Sequence, residues 1–352
     1  MIFTPVTSWP SPWWPTVDRT PSTDEPAAGG ATPSEVVYTE NKVRLHHYEA
    51  RGSRRQTVPI LLVYAVINRP SVLDFQPDRS VVRQFVERGF DVYLVDWGEP
   101  SRLDTSLDLD DFVTRYLANC VDVVRERAGV DAVHLFGYCS GATLAAIFAA
   151  LYPERVQTLG LLAPVLNFDV EGGIFDLPDT TAARDPQTLV ETVGNARGDA
   201  LAVGFTLTDP VEYHLGRYLR LADHLDDPAS LRYRLRRLEW GADCVDVAGA
   251  LFGQFLVDLY RENRLMEGSL TVGGRPVDRA ALEMPVLTVL GTDDEFIPAA
   301  AGLPFVETLP DVETIGFPTD HIGLSTGERA HAELWPRVCD WLEAHGAAAA
   351  AS

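Results

Sequence analysis

From Val36 onward, apolar residues come in two alternating patterns. Ile60-Leu61-Leu62-Val63-Tyr64-Ala65-Val66, Phe90 to Val95, Val133 to Phe136, Leu159 to Ala163 and Pro285 to Leu290 are short, nearly continuous apolar runs. Such runs predict strands buried on both faces. Between them the apolar positions fall at helical spacing. Val81 to Glu87 reads as a short helix, and Asp110 to Arg127 places Phe112, Leu117, Cys120 and Val124 on one face. Val36-Val37-Tyr38 and Val43-Arg44-Leu45 read as an opening hairpin, and Glu313 to Phe317 as a last strand before a helix from Glu328 to about His345. Strands alternating with helices predict a mainly parallel sheet. The alternation stops near Asp169 and resumes at Pro285; the stretch between carries helical segments and turns but no clear buried strand.

This divides the chain into a flexible N-terminal segment (residues 1–35), a first core part (36–169), a helical cap insertion (170–283), a second core part (284–346) and a frayed tail from Ala347. The N-terminal segment is rich in Pro, Ser, Thr and Gly but carries Trp9, Trp13 and Trp14, which suits a docking segment better than a purely solvated tail.

Composition narrows the functional classes. Hydrophobic content of 46% is that of a globular core, and no apolar run approaches a membrane span. The start lacks the basic and apolar pattern of a signal peptide, so a cytoplasmic protein is expected. Four cysteines among 352 residues imply no disulfide framework, and no Cys/His cluster has zinc spacing. Net charge is −22 and Lys42 is the sole lysine, so nucleic acid is not an expected partner. An acidic, lysine-poor surface suits either a GC-rich genome or a high-salt cytoplasm, where it would be screened.

Gly137-Tyr138-Cys139-Ser140-Gly141 follows the third of the apolar runs and precedes the small-residue segment Ala142-Thr143-Leu144-Ala145-Ala146. This is a strand–turn–helix elbow of the G-x-S-x-G kind with cysteine at its tip, the signature of an α/β-hydrolase fold. Ser140 as nucleophile would need small residues at Tyr138 and Ala142, and tyrosine does not fit that turn. Cys139 is therefore the expected nucleophile, and a thiol needs a base. In this fold the acid and then the base follow the nucleophile along the chain. Asp293 and Asp294 compete as the acid after the strand ending at Leu290. His321, in the loop after the last strand, is the expected base. His134 lies inside a strand, His214 and His224 in the insertion, His331 and His345 on the final helix as expected surface residues, and His46 and His47 too early. The backbone N–H groups of Ser140 and of Ala65, in the loop Tyr64 to Asn68, are the expected oxyanion donors.

These residues, with others spread from Val36 to Leu342, resemble the catalytic subunit of polyhydroxyalkanoate synthases, most closely the two-subunit class III type. The matching segments are Val63 to Pro70, Asp74, Asp78-Arg79-Ser80, Asp91 to Gly98, Leu109 to Val113, Ala163-Pro164-Val165 with Phe168-Asp169, Glu239-Trp240 with Asp243, Tyr260 to Leu265, Gly273 to Asp278, His321 to Leu324 and Arg329-Ala330-His331. The resemblance implies that Cys139 carries the acyl group as a thioester, that His321 is its base, and that Asp294, matching the family's Asp-x-x-x-Pro segment, is the acid. It implies polymerisation of (R)-3-hydroxyacyl units from coenzyme A thioesters, with no metal or redox cofactor. A second, dissimilar subunit, a homodimer contact through the cap, and residence at cytoplasmic polyester granules are implied as well. Ala142, Ser140, Glu295 and Asp320 depart from the family's usual glycine, glutamine, histidine and glycine. The acidic pair Glu295 and Asp320 is expected to raise the His321 pKa. Two other readings share the core: a cysteine hydrolase or acyltransferase (dienelactone-hydrolase-like or thioesterase), with water as acceptor for a hydrolase, and a non-catalytic granule-associated paralogue.

Overall fold

A computed structural model describes residues 31–52, 55–176, 190, 192–208, 211, 216, 219 and 226–346. The N-terminal tryptophans, His214, His224 and the tail from Ala347 lie outside the described residues. Eight strands form one sheet: β1 (Glu35–Glu40), β2 (Val43–Tyr48), β3 (Ile60–Val63), β4 (Val92–Asp96), β5 (Val133–Tyr138), β6 (Val156–Leu162), β7 (Val286–Gly291) and β8 (Val312–Phe317). Their spatial order is β1-β2-β4-β3-β5-β6-β7-β8. β1 and β2 make the expected antiparallel hairpin, and β2 runs antiparallel to β4. All the remaining pairs are parallel. This is the α/β-hydrolase architecture that the alternation predicts.

The apolar runs are strands because their residues are buried on both faces: every residue of β3, β4, β5 and β7 is buried. Helices α1 (Val81–Glu87), α2 (Ala118–Ala128, entered through a π-helical turn, Asp111–Leu117) and α3 (Ser140–Leu151) follow the early strands. Phe112, Leu117, Cys120 and Val124 are buried as their spacing predicts. The segment between β6 and β7 contributes α4 (Gly198–Thr206), α5 (Pro228–Ala242) and α6 (Gly249–Gln254) among its described residues. It also holds a short hairpin, Thr271–Val272 against Arg275–Pro276, turned by Gly273 and Gly274 at positive φ. Two residues per strand are too few to show an alternating pattern, so periodicity did not reveal it. The last helix, α7 (Trp335–Gly346), packs on α1, and Trp335 meets Phe85 and Phe136 edge-on or tilted in the core.

Asp74 is fully buried and accepts from Thr32 N (2.7 Å), Thr32 Oγ1 (2.8 Å) and Ser80 Oγ (2.5 Å). Ser80 in turn caps α1 by accepting from Arg83 N. The carboxylate thus ties the first described residues to the start of α1. Asp74→Ala strands three donors in a dry site and is expected to cost about 3 kcal/mol, read as a lower urea midpoint at unchanged slope.

Candidate active site

The elbow depends on glycine at two close approaches. Cys139 sits at φ 57°, ψ −128°, a strained conformation for a residue with a Cβ. A Cβ on Gly137 would lie 2.5 Å from Ala142 Cα, and one on Gly141 would lie 2.2 Å from Val63 O. Strand, turn and helix therefore interlock, and the thiol is lifted out of the end of β5. Ala142, where the resembled family has glycine, is fully buried and packs directly on Gly137. The missing side chain at 137 is what lets the backbone of Gly141 and Ala142 approach the end of β5.

His321 follows β8 and Asp294 follows β7, so adjacent parallel strands deliver both side chains to one end of the sheet. His321 Nδ1 lies 2.7 Å from Asp294 Oδ2. Asp294 Oδ1 accepts from the backbone N–H of Phe296 (3.0 Å) and of Ile297 (2.8 Å), so both carboxylate oxygens are committed. Asp293, the competing acid, is exposed and accepts only from Thr292 Oγ1 among the bonds described. The His321 ring has Tyr138 on one side (centroids 5.2 Å) and Phe296 near it at 5.3 Å. Burial works against a charged ring, yet the charges of Asp294 and Cys139, and hydrogen bonding to both, push His321 up to about 10. The site is closed: Cys139, His321 and Asp294 are only 8%, 6% and 7% exposed. The other cysteines are buried thiols whose desolvation raises them, Cys120 and Cys339 to about 12.

The loop after β3 is held from two directions. Trp97 Nε1 donates to Tyr64 O at 2.9 Å. In a trans peptide the Ala65 N–H then points the opposite way, away from the indole. From the inserted segment, Val245 N donates to Ile67 O (2.8 Å) and Trp240 Nε1 to Arg69 O (2.9 Å). Ser140 begins α3, where N–H groups lack helical acceptors. Its hydroxyl is buried and finds no partner among the described residues.

A family model described as the alpha/beta hydrolase fold matches residues 59–324. The chain is 47% identical over 334 residues to the poly(3-hydroxyalkanoate) polymerase subunit PhaC of Haloferax mediterranei, covering 93% of this chain and 68% of that one. It is 35% identical over 317 residues to the subunit of that name from Allochromatium vinosum, covering 89% of each. The chain belongs to the poly(3-hydroxyalkanoate) polymerase subunit PhaC family. Among solved structures, a monoacylglycerol lipase of Paleococcus ferrophilus aligns with TM-score 0.58 at 15% identity, covering 87% of this chain and all of that one, a likeness of fold alone.

Against the PhaC pattern, one expectation is met and one needs correction. Asp320 meets the expectation that an acidic neighbour favours the charged His321 ring, since the His321 charge lowers the Asp320 carboxyl in turn. Asp320 is paired with Arg237 of α5 (3.1 Å) and accepts from Gly323 N, and burial notwithstanding, Arg237 and that N–H hold its carboxyl below the ordinary range. Its charge is thus shared between Arg237 and the His321 ring. His331 is not a surface residue: it is buried on the π-helical turn Ala330–Leu334, its Nε2 2.8 Å from Ser325 O, and burial lowers it to about 4. Sequence reasoning also missed Tyr138, whose hydroxyl donates to His321 O, and Tyr233 of α5, whose hydroxyl lies 3.0 Å from Thr326 Oγ1. Both contacts join residues far apart in the chain, and no local pattern marks them.

Proposed function

We propose that this chain is the catalytic subunit of a poly(3-hydroxyalkanoate) polymerase that joins (R)-3-hydroxyacyl units through a thioester on Cys139. The observation that carries the reading is a strained, buried elbow at Cys139, joined through Tyr138 to the backbone of a His321 whose Nδ1 Asp294 holds. A ring pushed up to about 10 by its neighbours, Cys139 among them, is placed to exchange a proton with the nucleophile.

The thiolate attacks the carbonyl of the coenzyme A thioester. The developing oxyanion takes hydrogen bonds from the N–H groups of Ser140 and Ala65. The carbon–sulfur bond to coenzyme A breaks, and His321 gives its proton to the leaving sulfur. Acylation removes the Cys139 charge, one of the groups that raises His321, so the now neutral ring becomes a competent base. It takes the proton from the 3-hydroxyl of an incoming hydroxyacyl-coenzyme A, whose oxygen attacks the Cys139 thioester. The chain, longer by one unit, is then a coenzyme A thioester. It reloads onto Cys139 by the same exchange and releases free coenzyme A. Each cycle forms one ester and consumes one thioester, with no net oxidation. Exchange between thioesters is nearly balanced in energy, which suits a cysteine nucleophile to repeated loading.

The closed site supports hydroxyl over water as acceptor, because the inserted segment acts as a cap. Val203 and Leu207 on or just after α4 and Leu235 on α5 are exposed apolar residues on two helices that touch. They support contact of the inserted segment with a second polymerase subunit, a second copy or the polyester surface. No helix among the described residues is long and apolar enough to cross a membrane.

The test is purified protein given (R)-3-hydroxybutyryl-coenzyme A, with and without a co-expressed second subunit. Free coenzyme A with polymer is expected. Free coenzyme A with free hydroxy acid would instead make the enzyme a thioesterase.

A further inference from the structure

We propose that Tyr138 is a positioning residue that sets the distance between nucleophile and base, an inference that rests on the assignment of Cys139 and His321 above. Tyr138 is the last residue of β5 and is 1% exposed. Its hydroxyl donates to the backbone carbonyl of His321 at 2.6 Å, and its ring lies 5.2 Å from the imidazole, tilted by 37°. Tyr64 meets the other part of the Tyr138 ring edge-on at 5.3 Å, which leaves the phenol little room to turn. Burial raises the phenol well above its ordinary value, so it remains a donor at any working pH.

The geometry has a direct consequence. Asp294 fixes the Nδ1 end of the His321 ring, but it follows β7 and carries no information about where Cys139 stands. Tyr138 precedes Cys139 by one residue. Its hydrogen bond therefore ties the backbone of the base to the strand end that carries the thiol, across 183 residues of sequence. Without that bond the His321 carbonyl loses its buried partner, and the loop between β8 and the short helix Gly323–Thr326 loses its link to β5. The titratable groups around the ring are Asp294 and Cys139, with Tyr138 beside it and Asp320 next in the chain but paired with Arg237.

Tyr138→Phe removes one oxygen and keeps the ring. A base displaced by a fraction of an ångström is expected to lower kcat about 10- to 100-fold with KM for the coenzyme A thioester little changed. Alkylation of Cys139 by iodoacetamide is expected to slow at neutral pH, because a displaced imidazole is a poorer proton acceptor for the thiol. Native kcat and a native alkylation profile, with or without a lower Tm, would reduce Tyr138 to packing and overturn the proposal. Should the phenylalanine variant not fold, the native protein answers: a hydroxyl proton of Tyr138 in slow exchange with water, visible by NMR at neutral pH, is expected, and fast exchange contradicts the anchor. The underlying assignment fails separately, if Cys139→Ala still makes polymer.

Discussion

Cys139→Ala is expected to lower polymer formation and coenzyme A release by about 10⁴-fold or more, the loss seen when a nucleophile that works as a unit with its base is removed. The fold should survive. Alanine has the same Cβ as cysteine and meets the same strain at φ 57°, and the lost sulfur is a single atom at the edge of the core. Circular dichroism and Tm near the native values would show that the loss is chemical. The same variant reports on electrostatics. Because Cys139 is one of the groups that raises His321, its removal is expected to lower the imidazole pKa from about 10, followed by the ring proton shifts in NMR. Cys139→Ser makes the complementary point. A hydroxyl does not ionise opposite an imidazolium at neutral pH, so serine is expected to restore little of the lost rate.

Asp294→Asn carries the second largest expected effect, about 10⁴-fold in kcat by analogy with other triads. The local bonding gives the reason. Oδ1 is committed to the N–H groups of Phe296 and Ile297, so the asparagine oxygen takes that place and its NH₂ group faces His321 Nδ1. Two donors cannot face each other, so the ring proton moves to Nε2 and Nδ1 becomes the acceptor. The ring then also loses the carboxylate charge that favours its protonated form. A pH signature follows. His321 is raised in the folded protein above its value of about 6.5 in an unfolded chain. Its contribution to stability is therefore complete below that value and is lost as pH rises through about 10. The stability gap between native protein and Asp294→Asn should be widest near pH 6.5 and narrow toward pH 10, as measured by denaturation midpoints at a series of pH values.

Much of this structure is legible along the chain, and the reason is physical. Strands buried on both faces must be apolar throughout, so β3, β4, β5 and β7 stand out as runs. An elbow with two backbone approaches below normal contact distance needs glycine at 137 and 141, and those glycines frame the cysteine. The order of Asp294 and His321 follows the order of strands β7 and β8 in the sheet. The residues alone left Asp293 and Asp294 equal, because the difference lies in which carboxylate the turn aims inward. That depends on the Phe296 and Ile297 N–H groups, which no pattern displays. The Tyr138–His321 bond, the Arg237–Asp320 pair and the burial of His331 were illegible for the same cause. Each is made by the meeting of segments distant in sequence, and a charged or aromatic residue looks alike whether it faces water or a partner. Asp320 shows what reading neighbours by sequence leaves out: adjacent to His321 in the chain, it also pairs with Arg237 of α5.

The account stands on Cys139 carrying the acyl chain. A single turnover with (R)-3-hydroxybutyryl-coenzyme A, quenched in acid and digested, should show by mass spectrometry a hydroxybutyryl or oligomeric adduct on the peptide containing Cys139. One coenzyme A should be released per adduct, and the adduct should be labile to hydroxylamine as a thioester is. Polymer formed with the Cys139 peptide unmodified, or an adduct on another residue that persists in Cys139→Ala, would contradict it.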